Sequence, residues 1–208
     1  TIVGDLPRER ALELAARYLG SLPARERVSR ASLLELRTVK RPEGPRRVER
    51  TLDTPTEQAF VFSGFYGPDE SDRPAFRAMN LATRMLSSRM FAELREKHQL
   101  VYSIGASQRP GGAYPGFGVV AAAAPTEPGK ASTLASAIAA IYFGFAEGGP
   151  TEEEMTVAKK QFAVLFKEQD NDPAYWMSRM NLMTFRGITA DDIAAVMKWG
   201  VLPSQLAE

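Results

Sequence analysis

Residues 87–107 read Ser-Ser-Arg-Met-Phe-Ala-Glu-Leu-Arg-Glu-Lys-His-Gln-Leu-Val-Tyr-Ser-Ile-Gly-Ala-Ser, a charged helical stretch that turns directly into an extended one. Phe91, Leu94 and Leu100 mark the apolar side of the helical part, and residues 101–107 are expected to form a strand. Arg95 falls near the expected helix end and Tyr102 at the expected strand start, seven residues later. A permanent cation and a phenolic hydroxyl are thereby brought close together at a helix-to-strand junction, where both can point at one ligand.

The flanking pattern extends this unit to a fold class. Phe60, Phe62 and Phe65 lie in an apolar run, residues 59–65, closed by the Gly67-Pro68 turn. Ser71 or Asp72 is placed to cap a long helix over residues 73–97, with Phe76, Met79, Leu81, Ala82, Met85 and Leu86 on its apolar face. A second strand is expected over 117–124, joined to the first by the glycine-rich loop 109–116, read as a mobile hairpin. A helix from about residue 128 stops at Gly148-Gly149. Thr151 and Glu154 then form a Thr-x-x-Glu capping box for the next helix, with Glu152–Glu154 suited to its dipole. A further helix ends near Gly187, and Thr189 with Asp192 repeats the capping pattern. Strand, helix, two antiparallel strands and more helices predict an α+β fold, a mostly antiparallel sheet with helices packed on one face.

The first fifty residues read differently. Residues 1–23 give a short strand, a helix bearing Leu12, Leu14, Ala15, Tyr18 and Leu19, and a Gly20/Pro23 stop, taken as the tail of a preceding module. Residues 24–50 are charged, weakly periodic and interrupted by Pro42, Gly44 and Pro45, which predicts a linker with one strand at its end. Residues 51–208 are the compact C-terminal module. The chain begins with Thr inside an expected strand and is read as a fragment, with any targeting signal out of view.

Composition removes several classes of function. The chain has 208 residues, one histidine, His98, and no cysteine. Disulfides and thiol catalysis are excluded, and two histidines plus a carboxylate cannot assemble a catalytic zinc site from this chain. The cysteine usage suits a cytoplasmic or a periplasmic location equally. Residues 1–50 hold twelve Lys/Arg against seven Asp/Glu, but residues 24–50 contain no aromatic, so a solvated connection is expected rather than a nucleic-acid surface. The longest apolar run, residues 116–125, is too short to span a membrane. Loop 109–116 opens no helix and so lacks the form of a phosphate cradle.

The run Ser87-Ser88-Arg89-x-Phe91-x-x-Leu94-Arg95-Glu96-Lys97, with Tyr102 following, resembles the signature of the non-metal half of the pitrilysin/insulinase family. These are zinc peptidases whose metal motif is an inverted His-x-x-Glu-His. Val3-Gly4-Asp5, the Gly20-x-Leu22-Pro23 helix end, the capped helix after residue 150 and Trp176 shortly after Asn171 are weaker points of similarity. The resemblance implies the α/β sandwich shared with the mitochondrial processing peptidase. It implies that Arg95 and Tyr102 are catalytic and substrate-binding residues, reaching across a chamber to a peptide bound at zinc. The zinc is expected only in a catalytic half, in the same polypeptide or a partner subunit, and the chain alone is expected to be inactive. Expected substrates are peptides or unfolded proteins. The resemblance also admits a non-catalytic scaffold or regulatory subunit of the family, or a peptide-binding module.

The remaining candidates have plainer readings. Arg89 and Glu93 are spaced for an intrahelical ion pair. Ser87 and Ser88 have no base nearby in sequence, and His98 is expected at the surface near the helix end. Tyr175, Trp176, Met177, Met180 and Met183 read as core or an interface stripe.

Overall fold

Three antiparallel strands form the sheet, in the order β1 (Ala59–Tyr66), β3 (Val119–Thr126), β2 (Gly105–Arg109). The computed structural model describes residues 2–186, apart from residues 27, 46, 51, 52, 54, 70, 71 and 170. Ser71, Gly187, Thr189 and Asp192 lie outside the described residues. The described residues fall into two compact units, one within residues 28–158 and one made of the described parts of 2–26 and 159–186. The second unit contains helix α1 (Arg8–Tyr18) and helix α6 (Pro173–Arg186), in which the Tyr175 and Trp176 rings meet edge-on at 5.4 Å.

In the first unit the register pairs Val61 with Ala124, Ser63 with Ala122 and Phe65 with Val120. Side chains alternate across a strand, so Val61, Val120, Ala122 and Ala124 share the covered face, and all four are buried. Two helices cover that face. Helix α3 (Arg73–Met90) packs on β2, and helix α4 (Ala131–Gly148) packs on β1. Met90 and Leu94 from one side and Leu134 and Ile138 from the other are fully buried against the alanines of β3. Small residues on the central strand let both helices approach closely, and burying four such side chains contributes roughly 1.5–3 kcal/mol each. Phe60 and Phe62 stand on the opposite face and are exposed.

The capping signals act as expected. Asp72 accepts the Ala75 N–H at the start of α3 (3.1 Å). Glu154 accepts the Thr151 N–H (2.7 Å) and Thr151 Oγ1 accepts the Glu154 N–H (3.2 Å), opening helix α5 (Glu152–Gln169). Helix α4 stops before Gly149, whose φ of 68° is a left-handed conformation that glycine adopts without strain.

Four expectations of local structure are corrected. Residues 2–7 contain no strand, since that segment pairs with nothing in the sheet. The described part of 24–50 has no strand at its end and instead contains helix α2 (Arg30–Arg37), whose N-terminal Ser29 accepts the Ser32 N–H. The strand placed at 117–124 is shifted to Val119–Thr126, and the one placed at 101–107 begins only at Gly105. Tyr102 therefore precedes the strand. Thr126 donates its hydroxyl to Leu100 O (2.9 Å), closing this connection with a side chain where the ladder has not yet begun.

Candidate functional site

The helix that carries the site changes pitch just before it. After Met90, α3 continues as a π-helical stretch, Phe91–Lys97, in which the His98 N–H reaches back to Glu93 O (3.0 Å). Wider turns of this kind rotate the following side chains and are frequent at functional sites. The stretch ends on Gln99, a non-glycine residue at φ 49°, after which the Leu100 N–H donates to Leu94 O (2.8 Å). Holding Gln99 there costs on the order of 1 kcal/mol, offset by Leu94 and Val101 entering the core on either side. No residue in the sequence announces this widened turn.

Arg95 and Tyr102 are brought together by that geometry. The guanidinium carbon of Arg95 lies 4.6 Å from the Phe91 ring centre and 5.2 Å from the Tyr102 ring centre. Val101 is only 8% exposed and anchors the backbone, whereas Tyr102 next to it is 82% exposed. Among the described residues neither the Arg95 fork nor the Tyr102 hydroxyl makes a hydrogen bond or ion pair with the protein. Two ring contacts are worth roughly 0.5–1 kcal/mol each at an exposed site. They hold the cation in place without using its donors. Phe91 is the partner that spacing alone did not single out.

The neighbouring charged groups are engaged elsewhere. Glu93 takes Lys97 Nζ at 3.0 Å and has His98 Nε2 at 3.8 Å. The expected Arg89–Glu93 pair does not form. Arg89 instead donates Nη2 to Glu154 Oε2 (2.7 Å) and to Gly149 O (2.8 Å), and its Nε to Glu154 Oε1. Its guanidinium also lies 4.8 Å from the Phe145 ring centre. Hydrogen bonding to Arg89, opposed by burial and aided by the Thr151 N–H, pulls the Glu154 carboxyl down to about 2. Arg89 thus stitches α3 to the junction of α4 and α5, because a bidentate partner outside the helix satisfies its planar fork better than an i,i+4 carboxylate. Ser87 is structural too: its hydroxyl accepts the Ala106 N–H (2.8 Å) and lies 2.8 Å from Thr83 O, clipping β2 to α3. His98 is exposed beside the site.

Among the described residues no three of His, Cys, Asp or Glu converge as metal ligands, and no helix is long and apolar enough to cross a membrane. A zinc ion does not fit the donors that the described residues offer.

The family described as the peptidase M16 inactive domain matches residues 1–162 of the 208. No curated protein matches the sequence. Among solved structures, the peptidase M16 inactive domain from Pseudomonas fluorescens is 20% identical with a TM-score of 0.68, covering 95% of this chain and 45% of that one. A protease from Helicobacter pylori is 16% identical with a TM-score of 0.64, covering 95% and 46%. The inactive peptidase domain assigned to a zinc protease of Bordetella parapertussis is 16% identical with a TM-score of 0.50, covering 66% and 75%. The chain thus spans less than half the length of the first two. At these identities the neighbours establish the α+β fold alone. The match over residues 1–162 goes further: the chain belongs to the peptidase M16 inactive-domain family.

Proposed function

We propose that this chain is the substrate-binding, non-metal half of a zinc-dependent endopeptidase, with Arg95 and Tyr102 presented to a peptide bound at a zinc held on another half. The observation that carries the reading is the pairing of an uncommitted guanidinium, held between the Phe91 and Tyr102 rings, with an exposed and uncommitted phenol. Arginine keeps its charge and offers paired N–H donors, so Arg95 suits the task of gripping carbonyl oxygens along a peptide backbone. Tyr102 adds a single hydroxyl donor on a rigid ring without adding charge, the kind of group that can stabilise an oxyanion as it develops. Zinc, where bound, supplies the activated water and the first share of that stabilisation. The alternative reading is a non-catalytic scaffold or regulatory subunit of the same family, or a peptide-binding module. A His-x-x-Glu-His in the rest of the polypeptide or in its partner selects the peptidase.

Peptide titration of the isolated chain, followed by the NMR signals of the Arg95 side chain and the Tyr102 ring, tests the site. The expected result is saturable shifts at 91, 95 and 102, with binding weakened about tenfold in Arg95→Ala, the loss of a charge-assisted contact. Shifts that leave these residues untouched while appearing elsewhere would contradict the assignment.

A further inference from the structure

The basic stretch after Val28 is tied down by two arginines that meet backbone carbonyls. Arg37, the last residue of α2, donates Nε to Ala113 O (2.6 Å) and Nη2 to Gly112 O (2.9 Å). Four residues later, Arg41 donates Nε to Gly116 O (2.7 Å) and Nη2 to the same oxygen. Its guanidinium also lies 4.3 Å from the Tyr66 ring centre. The acceptors all belong to the glycine-rich connection between β2 and β3.

That connection is held from its other side as well. Asp69 Oδ2 accepts the Gly116 N–H at 2.7 Å, and the Phe117 ring meets Tyr66 edge-on at 5.9 Å. Gly116 has φ 82°, a conformation that side-chain-bearing residues rarely adopt, and this turns its N–H to Asp69 and its carbonyl to Arg41. Gly112, Ala113 and Gly116 lie outside the strand ladder, and among the described residues the two forks are the donors that reach their carbonyls. The loop read from sequence as mobile is held on two sides.

We propose that Arg37 and Arg41 form a clasp that straps residues 37–41 onto the 110–118 hairpin and orders it. The device is independent of the peptide site and stands or falls without it. Arginine is required because each fork places two donors at once, which a lysine ammonium on a flexible stem does not do. A displacement of α2 is then transmitted directly to the hairpin.

Amide hydrogen exchange on the full chain tests the clasp. Arg37→Ala/Arg41→Ala should speed exchange at the Gly116 and Phe117 amides at least tenfold, while residues 120–124 in the central strand keep their protection. Arg37→Lys/Arg41→Lys should fall between that variant and the parent. Arg47→Ala, which removes a guanidinium bound to exposed Glu49, should leave the loop unchanged. Unaltered exchange at Gly116 and Phe117 in the double alanine variant overturns the clasp, as does an equal acceleration by Arg47→Ala. If the double variant loses protection in the central strand, Arg41→Ala alone is decided by the same two amides.

Discussion

Arg89, at the end of α3, gives its fork to the protein: two bonds to Glu154, one to Gly149 O, and a ring contact with Phe145. Arg95, six residues further along the same continuous helix, gives none of its donors to the described residues and keeps only two ring contacts. Both residues stand in the same charged run, and helical spacing does not rank them; only the family resemblance singles out Arg95. What separates them is the π-helical turn between, which carries Arg95 away from the α4–α5 junction and into the company of Phe91 and Tyr102. An arginine already satisfied on every side holds the fold together, whereas one held by ring faces alone leaves its donors unused by the described residues.

That contrast can be broken by stability measurements. Arg89→Ala strips Glu154 and Gly149 O of their partner in a region where the two charged side chains are only 27% and 20% exposed. The expected loss is about 2–3 kcal/mol, read from urea unfolding of the full chain. A loss below about 0.5 kcal/mol, the level of an ordinary surface change, would show that the stitch is ornamental.

The acid limb of the stability curve comes next. Glu154 is pulled from 4.5 to about 2, chiefly by its hydrogen bonds to Arg89. A depressed carboxyl stabilises the fold fully above its unfolded value and loses that contribution as pH falls through the folded one. Stability should therefore decline from about pH 4.5 to pH 2, by about 1–2 kcal/mol from this group once partial exposure is discounted. Glu154→Gln should flatten that limb. An identical slope in the variant would remove Glu154 from the account.

The smallest effect sharpens the other side of the comparison. Arg95→Ala should cost only about 1 kcal/mol of stability, the low end for two exposed ring contacts, which are all that is lost. A loss as large as that of Arg89→Ala would mean that Arg95 is structural after all.

Much of the fold was legible because its signals are local. The Asp72 cap, the Thr151/Glu154 box and the Gly148-Gly149 stop each act within one turn of the residues that encode them. The apolar runs at 59–65 and 117–124 likewise gave strands to within two residues. The Arg89–Glu154 pair was not legible, since its partner lies 65 residues away and a rule about neighbouring helical turns cannot see it. The late start of β2 was hidden for a related reason. Leu100, Val101 and Ile104 are apolar like strand residues, but they enter the core from an irregular connection tied down by Thr126. Of the site itself, the sequence supplied Arg95 and Tyr102 by resemblance. The widened turn, the positive φ at Gln99 and the Phe91 contact depend on packing that no short motif records.

The most direct test of the central claim is the single-turnover rate of Tyr102→Phe, measured with the chain joined to a zinc-bearing half and peptide in saturation. Fold and zinc content should be retained, and the chemical step should slow about a hundredfold to a thousandfold, roughly 3–4 kcal/mol, as for loss of one oxyanion donor. His98→Ala, changed beside the site, should turn over at the parent rate. A parent-like rate for Tyr102→Phe would contradict the assignment of this hydroxyl to the reacting peptide.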